Sequence, residues 1–113
     1  MKLTIDRSVW LRGEGHTESF LCRPIDGKMC CLGILGVAAG LGRNELLGQK
    51  APICVISNNW PPWARVRDIA GHFIEVNDER DISEAEREES LTKLFLDRGV
   101  EVEFIDGPAE VSQ

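Results

Sequence analysis

No stretch of this chain is apolar for long enough to cross a bilayer. Its longest apolar run, Cys30 to Leu41, has 12 residues and three glycines, against the roughly 20 that a spanning helix needs. The first residues, Met1 to Arg7, carry no apolar segment of the secretory kind, so a cytoplasmic location with reduced thiols is expected. The cysteines also lack pairing. They stand at positions 22, 30, 31 and 54, with histidines at 16 and 72, and no C-x-x-C presents two ligands from one knuckle, as a structural zinc site requires. Adjacent Cys30 and Cys31 would point about 100° apart on a helix. Neither metal nor other cofactor is expected. Aromatic residues are scarce, at 6%, and none is interleaved with Lys or Arg as a nucleic-acid stacking platform would be. A phosphate-cradling loop is missing too, because Gly13-Glu14-Gly15 has neither the third glycine nor a strand–helix setting.

What is present is a lopsided charge. The 113 residues carry a net charge of −6. Residues 1–57 hold seven Lys/Arg and five Asp/Glu, whereas residues 58–113 hold six and fourteen. An acidic half of this kind repels a phosphate backbone, which disfavours direct nucleic-acid binding. It suits docking onto a basic surface of another protein.

Length, 42% hydrophobic content and the absence of any linker or repeat describe one globular domain. Residues 2–6 alternate, with Leu3 and Ile5 on one face, and read as a strand. A second strand is expected over Ser19–Arg23, closed by the turn Pro24-Ile25-Asp26-Gly27. From Lys28 to Gly40 the residues are apolar and small, which predicts a buried helix with Gly33 and Gly36 at close packing contacts. One helical turn is expected at 44–47, a strand at 53–56 and an irregular loop at 57–63, while 64–78 is open between helix and strand. Ser83-x-x-Glu86 is a capping box. The helix it starts buries Leu91, Leu94 and Phe95 and stops at Gly99. Residues 100–105 alternate as a final strand. The expected architecture is α+β: a short antiparallel sheet, built from the N-terminal strands and the C-terminal one, against a Gly-rich helix and an amphipathic helix.

Four clusters bear on chemistry. Asn77 to Ser83 is rich in oxygen ligands, yet its sixth residue is Ile82 where a calcium loop needs glycine, so it reads as a solvated turn. Cys30 and Cys31 stand at a helix start, where the dipole favours a thiolate. With His72 and then Asn77 or Asp78 they outline a cysteine-nucleophile triad, against which their apolar surroundings argue. The Trp60-Pro61-Pro62-Trp63 loop offers rigid aromatic contact area. Glu75 to Glu110 holds thirteen acids and four bases, with Glu84, Glu88 and Glu89 on one helix and Asp78 and Asp81 just before it.

Trp10-Leu11-Arg12-Gly13-Glu14-Gly15, then Asp26 to Gly33 with its Cys-Cys-Leu-Gly, then Val76-Asn77-Asp78, resemble an uncharacterised family of small proteins carried by bacteriophages and prophages. The resemblance covers most of the chain, but where many relatives have a further cysteine this sequence has Ala38-Ala39-Gly40. It implies a bacterial cytoplasm and no particular chemistry. The reading favoured is a non-enzymatic accessory protein that binds a basic host protein, an anti-defence or anti-CRISPR inhibitor being one case. Its partner-binding candidates are Glu84, Glu88, Glu89, Asp78, Asp81, Trp60 and Trp63. The alternatives are a small cysteine-dependent enzyme using Cys30 or Cys31 with His72 and Asp78, and a phage structural or assembly component.

Overall fold

A computed structural model describes residues 1–15 and 20–107. Two strands, β1 (Lys2–Asp6) and β2 (Glu101–Ile105), bracket four helices: α1 (Cys31–Ala38), α2 (Arg43–Leu46), α3 (Arg67–Asp78) and α4 (Glu84–Leu96). Two 3₁₀ turns lie at Pro52–Cys54 and Pro62–Arg65. None of these helices is long and apolar enough to cross a membrane.

The strands pair in parallel, Lys2 opposite Glu101 through Asp6 opposite Ile105, which corrects the antiparallel sheet expected from sequence. Alternation specifies which face of a strand is buried but not which way it runs. No hairpin joins β1 to β2. All the described helices lie between them, and a long crossover of this kind is what a parallel pair requires. The crossover closes just after α4, at Gly99, whose φ of 79° allows Val100 N–H to donate to the Phe95 carbonyl at 2.9 Å. The chain then returns along α4 as β2.

The expected helices at 28–40 and 83–99 are present, and 64–78 resolves into helix from Arg67 onward. The two interior strands are not. Ser19 lies outside the described residues, and Cys22 forms only an isolated bridge with Leu47. At 53–56, Pro52 sets a helical φ and turns the chain into a 3₁₀ segment, leaving Ile56 exposed. The core joins Leu3 and Ile5 of β1, Leu32 and Leu35 of α1, Phe73 of α3, and Leu91 and Phe95 of α4. Gly33 and Gly36 are packing positions as expected. A Cβ on Gly33 would overlap the Leu21 carbonyl, and one on Gly36 would lie 2.8 Å from the Trp60 ring. Val37, by contrast, faces solvent.

Candidate functional site

Trp10 and Leu11, the start of α1 and the end of α3 meet in one buried knot, and Asn77 is its centre. The Asn77 Oδ1 accepts from the Trp10 indole N–H at 2.8 Å and from the Cys31 backbone N–H at 3.1 Å. Its Nδ2 donates to the Leu11 carbonyl and to Asp78 Oδ1, both at 2.9 Å. Cys31 opens α1 with no capping side chain of its own, so a residue of α3 caps α1 from across the core. Beside this knot, the buried Arg87 side chain donates to the carbonyls of Val76, Asn77 and Glu79 at 3.1, 3.0 and 2.6 Å, joining the Gly13 and Gly15 N–H groups in closing the end of α3. The solvated turn expected at 77–83 therefore starts two residues inside the core. Trp10 completes the arrangement, with its ring 5.2 Å from Phe104 and under the Arg12 guanidinium at 4.4 Å.

The thiols of Cys30 and Cys31 are fully buried. Burial is the main reason the Cys30 pKa rises to about 12 and that of Cys31 well above its ordinary value; the nearby Asp78 charge adds to both. This outweighs the helix-start effect that the cysteine-nucleophile reading needs. His72 is exposed on α3. It lies five residues before Asn77, about 140° around the helix, and faces away from the knot. The triad residues are thus divided between interior and surface.

The acids of α4 have internal partners. Glu84 receives the Arg12 Nε at 2.6 Å and Arg87 at 3.5 Å. Partial burial pushes its pKa upward, but these hydrogen bonds and charges outweigh that and hold it below the ordinary value. Glu88 takes a two-pronged hydrogen bond from Arg7, at 2.7 and 2.8 Å. Glu86 and Glu89 are exposed, Glu86 accepting from the Ser83 backbone N–H and Glu89 lying 3.6 Å from Lys93. Both tryptophans of the proline loop turn inward: Trp60 is buried and donates to the Val55 carbonyl at 3.1 Å, while Trp63 stacks on Phe73 with ring centroids 5.0 Å apart.

At the C-terminal end of α3, the exposed Glu75 and Asp81 and the half-buried Glu79 stand beside the buried Asp78, which Asn77 engages. A cleft of about 660 Å³ is lined there by Glu75, Asp78, Glu79 and Asp81, with Arg80, Ile74, Gly71 and Gly15. Arg80 is turned toward the Gly15 side, donating to the Glu14 carbonyl at 2.9 Å. Asp78 and Asp81 were legible as candidates. Glu75, Glu79 and Gly71 were not, although a glycine inside an otherwise helical apolar spacing was a usable signal. Among the described residues no His, Cys, Asp and Glu side chains group in threes as a metal site would. Compared with protein families, curated proteins and solved structures, the chain matches none.

Proposed function

We infer that this is a non-enzymatic binding protein that docks onto a basic surface of a partner protein, with the α3 cleft receiving a lysine or arginine side chain. The observation that carries this reading is that three solvent-reachable acids, Glu75, Glu79 and Asp81, line one concave opening against a single guanidinium, Arg80. Concave, low-dielectric walls focus the field of such charges and raise the encounter rate with cations. The inward-facing cysteines and exposed His72 favour binding over catalysis. The outer face of α4 is secondary in this reading, since Glu84 and Glu88 are committed to Arg12 and Arg7. The phage-protein resemblance makes a bacterial host protein the expected partner, with inhibition of a defence enzyme as the special case.

Fluorescence anisotropy with a labelled hexa-arginine peptide tests it. Glu75→Gln with Asp81→Asn should weaken binding about fivefold or more, equivalent to about 1 kcal/mol. Glu101→Gln with Glu103→Gln removes the same charge from β2, which contributes no residue to the cleft's lining, and should leave affinity within about twofold. Equal losses in the two variants would reduce the cleft to an undifferentiated part of the protein's negative charge and overturn the reading.

A further inference from the structure

Helix α3 contains a glycine that no contact in the described fold requires. Gly71 sits mid-helix, where glycine is the least favourable residue apart from proline. It is not among the glycines with positive φ, and a Cβ built on it meets nothing within 4 Å. Gly33 and Gly36 differ in this respect, because protein atoms occupy the space their side chains would need. Among the described residues the space beside Gly71 is open, and the glycine lines two cavities.

Gly71 and Ile74 line the acidic cleft and also a second, apolar groove of about 260 Å³, walled by Ala51, Ile53, Ala64 and Ala70, with Arg67 beside them. Arg67, Gly71, Glu75 and Asp78 follow at spacings of four, four and three along α3, so they share one face. From its N-terminal to its C-terminal end this face reads as apolar groove, bare glycine, acidic cleft. We propose that it binds an extended segment of the partner in a single direction, with a basic side chain in the cleft, an apolar side chain in the groove, and the backbone crossing α3 at Gly71. The proposal rests on the docking reading above and adds to it the partner's chemistry and orientation. Charge complementarity places the basic residue over Glu75, Glu79 and Asp81. Ile53, a large apolar residue left 41% exposed, lies where the apolar side chain would cover it. A glycine is what lets another backbone approach a helix closely.

Two labelled hexapeptides of equal charge, alternating Arg–Leu and alternating Arg–Ser, separate the contributions by anisotropy in 0.15 M salt, roughly an 8 Å Debye length. The Arg–Leu peptide should bind about tenfold more tightly, equivalent to about 1.4 kcal/mol. Gly71→Gln fills the crossing point with a long, uncharged, helix-favouring side chain. It should abolish the Arg–Leu advantage while leaving Arg–Ser binding within about twofold, and Gly71→Ala should lower the advantage less. Equal binding of the two peptides, or an Arg–Leu advantage that survives Gly71→Gln, overturns the proposal. A dimer of the protein alone in sedimentation, lost in Gly71→Gln, would also overturn it by assigning the face to a second copy. The docking reading fails separately if Glu75→Gln with Asp81→Asn weakens neither peptide.

Discussion

The indole N–H of Trp10 donates to the side-chain oxygen of Asn77 at 2.8 Å inside the core, which ties the segment after β1 to the end of α3. The same oxygen caps Cys31 at the start of α1, so one carboxamide holds three parts of the fold in register. Fully satisfied buried polar groups specify a geometry, and half-satisfied ones are costly. Asn77→Ala leaves the Trp10 and Cys31 donors without an acceptor and should destabilise the protein by at least about 2 kcal/mol. Asn77→Asp should be at least as harmful, because it turns the donor that faces the Leu11 carbonyl and Asp78 Oδ1 into a second acceptor and adds a buried charge. Trp10→Phe, which removes a donor and leaves the carboxamide in place, should be the mildest of the three. Urea denaturation of the series gives the order directly.

Two helical glycines should respond in opposite directions to one added methyl group. In Gly33→Ala the new Cβ meets the Leu21 carbonyl, and because that atom belongs to backbone, α1 must shift. A loss of about 3 kcal/mol or more is expected, at or beyond the upper end of ordinary overpacking. Gly71→Ala meets nothing and should raise stability by about 0.5–1 kcal/mol through helix propensity. Thermal melts of the pair decide it. A destabilised Gly71→Ala would mean that the space beside α3 is already filled.

Local signals were sufficient wherever the physics was local. The capping box is present in both directions, Ser83 Oγ accepting from Glu86 N–H at 3.1 Å and Glu86 accepting from Ser83 N–H at 2.9 Å. Leu91 and Phe95 are buried, with Leu94 half-buried against the same core, and both outer strands show their alternation. What stayed hidden depended on distant partners. Strand direction, Asn77 as a cap for another helix, and the burial of Arg87 all follow from which segments meet in three dimensions. Arg87 stands among Glu84, Glu86, Glu88 and Glu89, where composition describes a solvated face; only the end of α3, with its carbonyls in need of a donor, draws it inward. The ion pairing of the α4 acids was hidden for the same reason. Their spacing was visible, and the arginines that engage them, Arg7 and Arg12, lie far away in sequence.

Thiol labelling separates a binding protein from a cysteine enzyme. Cys54 is exposed, while Cys22, Cys30 and Cys31 are buried. Iodoacetamide at neutral pH should add one group to the native protein, at Cys54, and reach the other three only after denaturation. Early modification of Cys30 or Cys31 would restore the catalytic alternative. The pH dependence has a definite sign. With the Cys30 pKa raised from 9.0 to about 12 by burial, the folded state keeps a proton that the unfolded state loses above about pH 9. Stability should therefore be unaffected by this group below pH 9 and fall from there toward pH 12. Cys30→Ala should flatten that alkaline decline while lowering stability at neutral pH.

The Arg7–Glu88 pair gives the sharpest test of what α4's acids do. The guanidinium and carboxylate meet through two hydrogen bonds, at 2.7 and 2.8 Å, with side chains only 30% and 18% exposed. A bidentate, partly buried pair exceeds the usual near-zero contribution of a surface ion pair. Arg7 also lies 5.6 Å from the Phe104 ring centroid, so the pair joins the end of β1 to α4 and β2 together. Glu88→Gln keeps the shape but removes the charge and one of the two acceptors. It should cost about 1 kcal/mol, and Glu89→Gln, whose partner Lys93 is exposed, should cost almost nothing. A double-mutant cycle with Arg7→Gln and Glu88→Gln should give a coupling energy near 1 kcal/mol. If coupling is absent and Glu88→Gln instead weakens binding of the hexa-arginine peptide, the outer face of α4 is the docking surface and the carboxylates of the α3 cleft are not.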